Sequence, residues 1–179
     1  MNQRQLRLPF AAILLATALW TAASAALAQD RPDTIADAIR AEPALAETAA
    51  LFEQSGMLDQ LARPGRFTFF APSDRAWEAV DARVLRDLRR DRGALDAIVR
   101  HHLLTGASPL HALRRLDAVT TLETTRLPVT RSGDVVRVGG VRIVNEGIET
   151  GNGVLYVVNQ VLVPGGPFMI KDMLASPRR

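Results

Sequence analysis

The side chains in this sequence that are best suited to chemistry are its three histidines, two of which are adjacent. His101 and His102 follow one another, and His111 comes nine positions later. A metal site would need the three rings to converge on one ion, yet neighbouring side chains on a helix point about 100° apart. The spacing therefore disfavours a metal site and leaves the adjacent pair as a candidate contact for a binding partner.

Other residues with catalytic potential lack the sequence context that would activate them. The chain contains no cysteine, which excludes thiolate nucleophiles, zinc–thiolate sites and iron–sulfur clusters. The nucleophile elbow G-x-S-x-G, a Gly-rich phosphate loop and the zinc motif H-E-x-x-H do not occur in the sequence. No neighbouring residue suggests activation of Ser73, Ser108 or Ser132, and a helix-capping role explains Asp74. We therefore expect no catalytic residue, no metal and no cofactor, and hence no enzyme.

The histidine pair lies near the end of a segment with helical periodicity, residues 94–104. Its stripe-forming side chains recur three and four positions apart and share one face: Leu95, Ile98, Val99, His102 and Leu103. His102 belongs to this apolar stripe, so we expect a buried, hydrogen-bonded ring. His101 lies beside the stripe, so we expect a ring that a partner can reach.

Helical patterns dominate the first part of the chain, and these elements position the histidine pair. A short helix can begin after Asp33-Thr34, and a longer one is expected over residues 44–55. An aromatic-rich run over residues 66–71 predicts a strand. Ser73 or Asp74 then caps the helix that follows this strand.

Short β-branched runs separated by turns dominate the chain after residue 119. Gly139-Gly140 has the composition of a two-residue hairpin loop. Strands are expected over residues 126–131, 135–138, 141–144 and 154–163. Helices grouped first and strands grouped afterwards indicate an α+β fold or a β-sandwich with helices along one edge.

Residues 1–28 have the pattern of a secretory signal peptide. Arg4 and Arg7 provide a basic start, an apolar stretch follows over residues 8–20, and Ala26-Leu27-Ala28 is an A-x-A cleavage site. The apolar stretch is shorter than the roughly 20 residues that span a bilayer. Cleavage after Ala28 is therefore favoured over the alternative, an uncleaved membrane anchor.

The mature chain has the size of one domain and little net charge. Cleavage would remove 28 of 179 residues and two of 22 basic ones, which leaves 151 residues with a net charge near +1. We expect a domain over residues 29–164 and a C-terminal tail over 165–179. The densest basic run, residues 83–92, is interspersed with Asp87 and Asp91, so a nucleic-acid partner is not expected.

Three segments of the chain, in this order, resemble signatures of the fasciclin domain family. The first is TFFAPSDRAW, residues 68–77, and the second is the pair His101-His102 followed by two leucines. The third is GVLYVVNQVLVP, residues 153–164, which follows an Asn-Gly turn. The residues that carry the first and third segments are Thr68, Phe70, Ala71, Pro72, Asp74, Trp77, Asn152, Gly153, Tyr156 and Pro164. Two positions depart from the family pattern, because His101 stands in place of a tyrosine and Tyr156 in place of a histidine.

The resemblance implies a wedge-shaped β-sandwich of about seven strands with several helices along one side. It also implies an exported binding module, periplasmic or secreted, that mediates adhesion to a matrix, cell or host surface through protein or glycan contacts. The histidine pair would contribute to that binding, and Phe70 and Trp77 would belong to the core. The alternative is a carrier that holds an apolar small molecule, such as a carotenoid or lipid-like ligand, in a groove of the same fold.

Overall fold

Strands buried on both faces form the centre of the structure, a computed structural model that describes residues 31–163. The predicted signal peptide, the tail over 165–179 and Pro164 lie outside the described residues. Within residues 31–163, no helix combines the length and apolarity that crossing a bilayer requires.

Two four-stranded sheets contain the strands of the described residues, with the orders β2-β1-β8-β7 and β3-β4-β5-β6. The strands are β1 Phe67–Pro72, β2 Leu103–Thr105, β3 Ala118–Thr120, β4 Arg126–Ser132, β5 Val135–Val138, β6 Val141–Arg142, β7 Ile148–Thr150 and β8 Gly153–Val158. The α+β sandwich is confirmed, with eight strands in this part of the chain where about seven were expected.

The central pair of the first sheet separates two hydrophobic clusters. β1 and β8 run parallel, and nearly every residue in both is buried. Because side chains alternate along a strand, Phe69 and Leu155 join one cluster, which contains the helical residues. Phe70 and Tyr156 join the other cluster, which contains the residues of the second sheet. This double burial explains why both strands read as continuous apolar runs in the sequence.

Seven α-helices and one short 3₁₀ helix occupy the described residues. They are α1 Ile35–Ala41, the 3₁₀ helix Pro43–Leu45, α2 Ala46–Ser55, α3 Met57–Leu61, α4 Asp74–Glu78, α5 Ala82–Arg90, α6 Arg92–His101 and α7 Leu110–Leu113. The expected helix over 44–55 is thus split at its start into a 3₁₀ turn and α2. The helix expected after Ser73 is also split, because Asp81 accepts hydrogen bonds from two backbone N–H groups and begins α5.

Three predicted elements are shorter than expected, and one of them is the strand over 141–144, which as β6 spans only Val141–Arg142. The helix over 94–104 ends at His101, after which the chain enters β2. The strand over 154–163 ends at Val158, and the exposed Asn159 and Gln160 follow it. The hairpin loop at Gly139-Gly140 is confirmed, because both residues have the positive φ, 59° and 84°, that such a loop favours.

Candidate functional site

The three segments that resemble family signatures lie on adjacent strands of the first sheet. β1 carries the first segment, β8 carries the third, and the histidine pair leads directly into β2. Phe70 pairs with Tyr156 in the parallel register, and the Phe70 N–H donates to the carbonyl oxygen of His102 at 2.9 Å. Residues that are distant in the sequence therefore form one contiguous site at the centre of the fold.

Tyr156 stands where the family pattern has histidine, and its ring is fully buried. The ring stacks on Phe70 with 5.7 Å between centroids, and the phenol donates a hydrogen bond to the Ser108 carbonyl at 2.9 Å. Burial, with a smaller contribution from the Glu149 carboxylate, raises the pKa of Tyr156 well above its usual range. The phenol is therefore a neutral hydrogen-bond donor within the core.

Trp77 connects the end of β1 to helix α2, and it is buried as expected. Its indole N–H donates to the Thr48 hydroxyl at 2.8 Å, and that hydroxyl donates to the Pro72 carbonyl at 2.6 Å. Thr48 is itself fully buried. This relay satisfies a buried indole N–H and a buried carbonyl through one side chain.

Asp74 has a different capping role from the one expected. Ser73, rather than Asp74, caps α4 through a hydrogen bond from the Ala76 N–H. The Asp74 carboxylate instead accepts the Glu47 N–H at 2.8 Å, in the first turn of α2. Leu45, the residue that precedes α2, supplies no side-chain cap. Asp74 therefore caps a helix 27 residues away in the sequence.

Asn152 uses its whole amide to join its turn to three segments, which are α1, the end of β7 and the chain at the end of α3. Its oxygen accepts the Ile35 N–H at 2.8 Å and lies 3.1 Å from the Thr150 hydroxyl. Its nitrogen donates to the carbonyls of Leu61 and Arg63 at 2.7 and 3.0 Å. The expected Asn-Gly turn is therefore also a buried anchor for α1 and for the segment after α3.

Gly153 follows this anchor where two backbones approach closely. A Cβ atom at this position would lie 2.1 Å from the Phe67 carbonyl oxygen. The parallel register places Gly153 directly beside Phe67, so the neighbouring atom is rigid backbone. Glycine is required here because no side chain can be accommodated.

His102 is the buried, hydrogen-bonded histidine that the apolar stripe predicts. Its ring is 0% exposed, with Nδ1 2.7 Å from the Ile98 carbonyl and Nε2 2.8 Å from the Leu162 backbone nitrogen. Nε2 must accept the Leu162 N–H, so Nδ1 carries the proton and donates to Ile98. Burial lowers the pKa of His102 to about 3, opposed in part by the Ile98 hydrogen bond. The ring is therefore neutral at physiological pH.

His101 contradicts the expectation that a partner can reach its ring. The residue is only 1% exposed, and its Nδ1 has no hydrogen-bond partner among the described residues. The buried face of α6 is wider than the predicted stripe, because His101 lies on the same helical face as Ala94 and Ile98, seven and three positions earlier, and both of these are buried. Burial lowers the pKa of His101 as well.

The two buried histidines predict a pH-dependent stability. Unfolding returns both rings to a pKa near 6.5, so below about pH 6.5 the unfolded chain binds protons that the folded chain excludes. Stability is therefore fully present above pH 6.5 and decreases as the pH falls. The decrease for His102 continues towards pH 3, with a slope of up to about 1.4 kcal/mol per pH unit.

Chemical denaturation between pH 7.5 and 5 measures this slope. We expect His102→Asn to lower stability at pH 7.5 and to flatten the pH dependence, because one titrating group is removed. His111→Asn is the matched control, since His111 is exposed. Equal slopes for the wild type and His102→Asn would contradict the assignment of His102 as a buried neutral ring.

The described residues offer no convergent ligand set for a metal. Among residues 31–163, no group of three or more histidine, cysteine, aspartate or glutamate side chains could hold a metal ion. Apart from His101, the polar side chains of the site bond instead to the backbone, or to one another, in ways that stabilise the fold. These contacts define an α+β sandwich whose apolar core contains a small number of hydrogen-bonded polar side chains.

Sequence reasoning did not single out Thr48, although it completes the Trp77 relay. A buried threonine whose two partners lie 24 and 29 residues away leaves no local pattern. The arginines of the second sheet were also not singled out. Their alternation with buried valines in β4 to β6 is the signal that could have identified them.

Comparison with known proteins assigns the family. Residues 43–164 match the model of the fasciclin domain, and the chain belongs to this family. Human periostin is 33% identical over 132 residues, which are 73% of this chain and 16% of periostin. Pig transforming growth factor-beta-induced protein ig-h3 is 30% identical over 145 residues, which are 80% of this chain and 21% of that protein.

Bacterial proteins and a solved structure extend the comparison. Immunogenic protein MPB70 of Mycobacterium bovis is 30% identical over 112 residues, 62% of this chain and 56% of that protein. The chain thus spans from about a sixth to just over half the length of these relatives. A FAS1 domain pair from the insect cell adhesion molecule fasciclin I superposes with a TM-score of 0.64 at 17% identity, covering 75% of this chain and 52% of that chain. At this identity, the superposition shows the shared fold.

Proposed function

We propose that this protein is an exported, adhesion-type module that binds a protein or glycan surface and catalyses no reaction. The observation that carries the proposal is the burial of His101, His102 and Tyr156, together with the lowered histidine pKa values and the raised tyrosine pKa. Groups held neutral within a core are poor candidates for contact with a substrate. They build a scaffold, and the exposed surface is left for recognition.

Family membership supports the same function. The solved relative is named as a cell adhesion molecule, and a Mycobacterium bovis relative, 31% identical over 102 residues, is named a cell surface glycolipoprotein. The match to this glycolipoprotein spans 56% of this chain and 44% of the glycolipoprotein. Transfer of adhesion from these proteins to this chain is part of the proposal, because fold alone does not fix function.

The histidine pair enters this proposal as a positioning element rather than as a contact. His102 holds the Leu162 N–H, and Leu162 follows the exposed Asn159 and Gln160 closely in the chain. Asn159 is fixed from its other side, because its side-chain oxygen accepts the Arg142 N–H at 3.0 Å. We infer that loss of the His102 ring disturbs the segment after β8 and affects the binding of a partner only indirectly.

A single preparation of the protein tests both its binding to surfaces and its content of bound small molecules. Protein purified from the native host is analysed by absorption and mass spectrometry, then applied to arrays of immobilised matrix proteins and glycans. Saturable binding by ligand-free protein is the expected result. A stoichiometric apolar molecule in the preparation, with no surface binding, would overturn the proposal in favour of the carrier.

Export predicts a specific mature N-terminus. We expect the exported protein to begin at Gln29, because Ala26 and Ala28 supply the small residues that signal peptidase requires. Intact-mass measurement of protein from the periplasm and from the medium checks this and distinguishes the two locations. A mass that retains residues 1–28 would instead indicate a membrane-anchored protein.

A further inference from the structure

The solvent-facing side of the second sheet carries a row of polar and basic side chains. In β4 to β6, Val129, Val138 and Val141 face the core, and the alternating residues face outward. The register pairs Thr130 with Arg137, and Arg137 with Arg142. Since neighbouring strands lie about 4.8 Å apart, the row of three exposed side chains spans about 10 Å.

The charges in this row are not balanced within the sheet. Arg137 and Arg142 lie directly opposite one another, and like charges in this arrangement destabilise a sheet. Among the described residues, neither has a carboxylate within salt-bridge distance, and the four strands of this sheet contain no acidic residue. Arg131 of the same sheet differs, because it forms an ion pair with Asp117 at 3.1 Å.

A further basic residue extends the same face. Arg126 is exposed and precedes the buried Leu127. It therefore lies on the same face of the sheet as Thr130, four positions away on β4. That separation corresponds to about 14 Å along the strand. Thr120, exposed in β3, is its cross-strand neighbour. Arginine and threonine donors thus lie on both sides of the exposed Pro128, over a surface that is longer than one small anion.

We propose that this outer face, formed by Arg126, Thr130, Arg137 and Arg142, binds an acidic polysaccharide that carries sulfate or carboxylate groups. The inference rests on the proposed binding function and names its partner class. Guanidinium groups bind sulfate and carboxylate through paired hydrogen bonds, and threonine hydroxyls suit the sugar hydroxyls between them. An extended polyanion matches charges that are distributed along a strand and across it.

Other polyanions fit this face less well. Strands β3 to β6 contain no aromatic residue on which the bases of a single-stranded nucleic acid could stack. Val144, which follows β6, is a large apolar side chain that is substantially exposed, and insertion into a membrane interface needs a larger apolar surface. The polysaccharide is therefore the occupant that the face favours.

The test compares two double variants that remove the same charge. Arg137→Ser/Arg142→Ser changes the proposed site, and Arg83→Ser/Arg86→Ser changes exposed arginines on α5. The probes are heparin and alginate in solution, measured by calorimetry at several salt concentrations. We expect binding of the sheet variant to weaken about tenfold or more with a shallower salt dependence, and binding of the helix variant to remain close to that of the wild type.

The melting temperatures of the variants and their binding to other ligands distinguish the remaining explanations. The sheet variant should melt no lower than the wild type, because a like-charge pair is removed, so lost binding is not explained by unfolding. Equal weakening in both double variants would overturn the site in favour of nonspecific charge. Tighter, arginine-dependent binding to phosphatidylglycerol vesicles would overturn it in favour of a membrane surface. Binding to an immobilised protein or neutral glycan, with none to heparin or alginate, would refute this inference while the proposed function stands.

Discussion

Trp77→Ala is expected to lower the free energy of unfolding by about 3–5 kcal/mol, the usual range for the loss of a large buried aromatic side chain. Trp77 is 1% exposed and belongs to the cluster between the helices and the first sheet. The substitution leaves a cavity at the junction of β1 and α4. It also removes the indole N–H that donates to the Thr48 hydroxyl.

A second variant separates the contribution of the Trp77 hydrogen bond to stability from the contribution of its packing. Thr48→Val keeps the volume but leaves the Trp77 N–H and the Pro72 carbonyl without their shared partner. We expect a smaller loss, about 1–3 kcal/mol for unsatisfied buried groups. Denaturant titration of both variants gives these values, and a binding assay runs in parallel. Unchanged stability with abolished binding in Trp77→Ala would make the indole a ligand contact and refute its core role.

Burial was the property that the sequence predicted best. The apolar stripe of α6 identified His102 as a core residue, and an aromatic residue after a helix cap placed Trp77 in the core. Both inferences depend on local periodicity, which reports directly which side of an element faces the interior. The order of helices and strands likewise indicated an α+β sandwich.

Contacts between distant segments were not predictable in the same way. His101 was expected to be accessible because it lies beside the apolar stripe, whereas the buried face of α6 is wide enough to include it. Asp74 has a sequence that suits a local cap, yet its partner belongs to another helix. The arginine row on the second sheet becomes evident only when the strand register aligns Arg137 with Arg142.

Asn152 makes long-range hydrogen bonds that no local sequence pattern could predict. Its amide partners at Ile35, Leu61 and Arg63 lie 117, 91 and 89 positions away. A local pattern can identify the turn at Asn152-Gly153 but not these contacts. The orientation of the amide is fixed by its partners, since the nitrogen faces two carbonyls and the oxygen faces an N–H and a hydroxyl.

Asn152→Asp is expected to destabilise the protein by about 3–5 kcal/mol at pH 7, the cost of an uncompensated buried charge. The shape is preserved, but a carboxylate oxygen replaces the nitrogen that donates to the carbonyls of Leu61 and Arg63. Burial and these carbonyls should raise the pKa of the new carboxyl group above its unfolded value near 3.9. The protonated acid is then favoured in the folded state, so the loss relative to wild type should shrink as the pH falls from 7 towards 4.

Asn145→Asp provides the matched control for this charge, because the Asn145 oxygen accepts the Val157 N–H at 2.9 Å and a carboxylate keeps that acceptor. We expect its stability to stay within about 0.5 kcal/mol of wild type. Denaturation of the three proteins at pH 7 and pH 4.5, compared as differences from wild type at each pH, cancels the contribution of the buried histidines. Equal losses in both variants, or a loss in Asn152→Asp that does not change with pH, would contradict the buried amide anchor. A large, pH-dependent loss confined to Asn152→Asp would show that one side chain in a turn holds α1 and the segment after α3 against the central sheet.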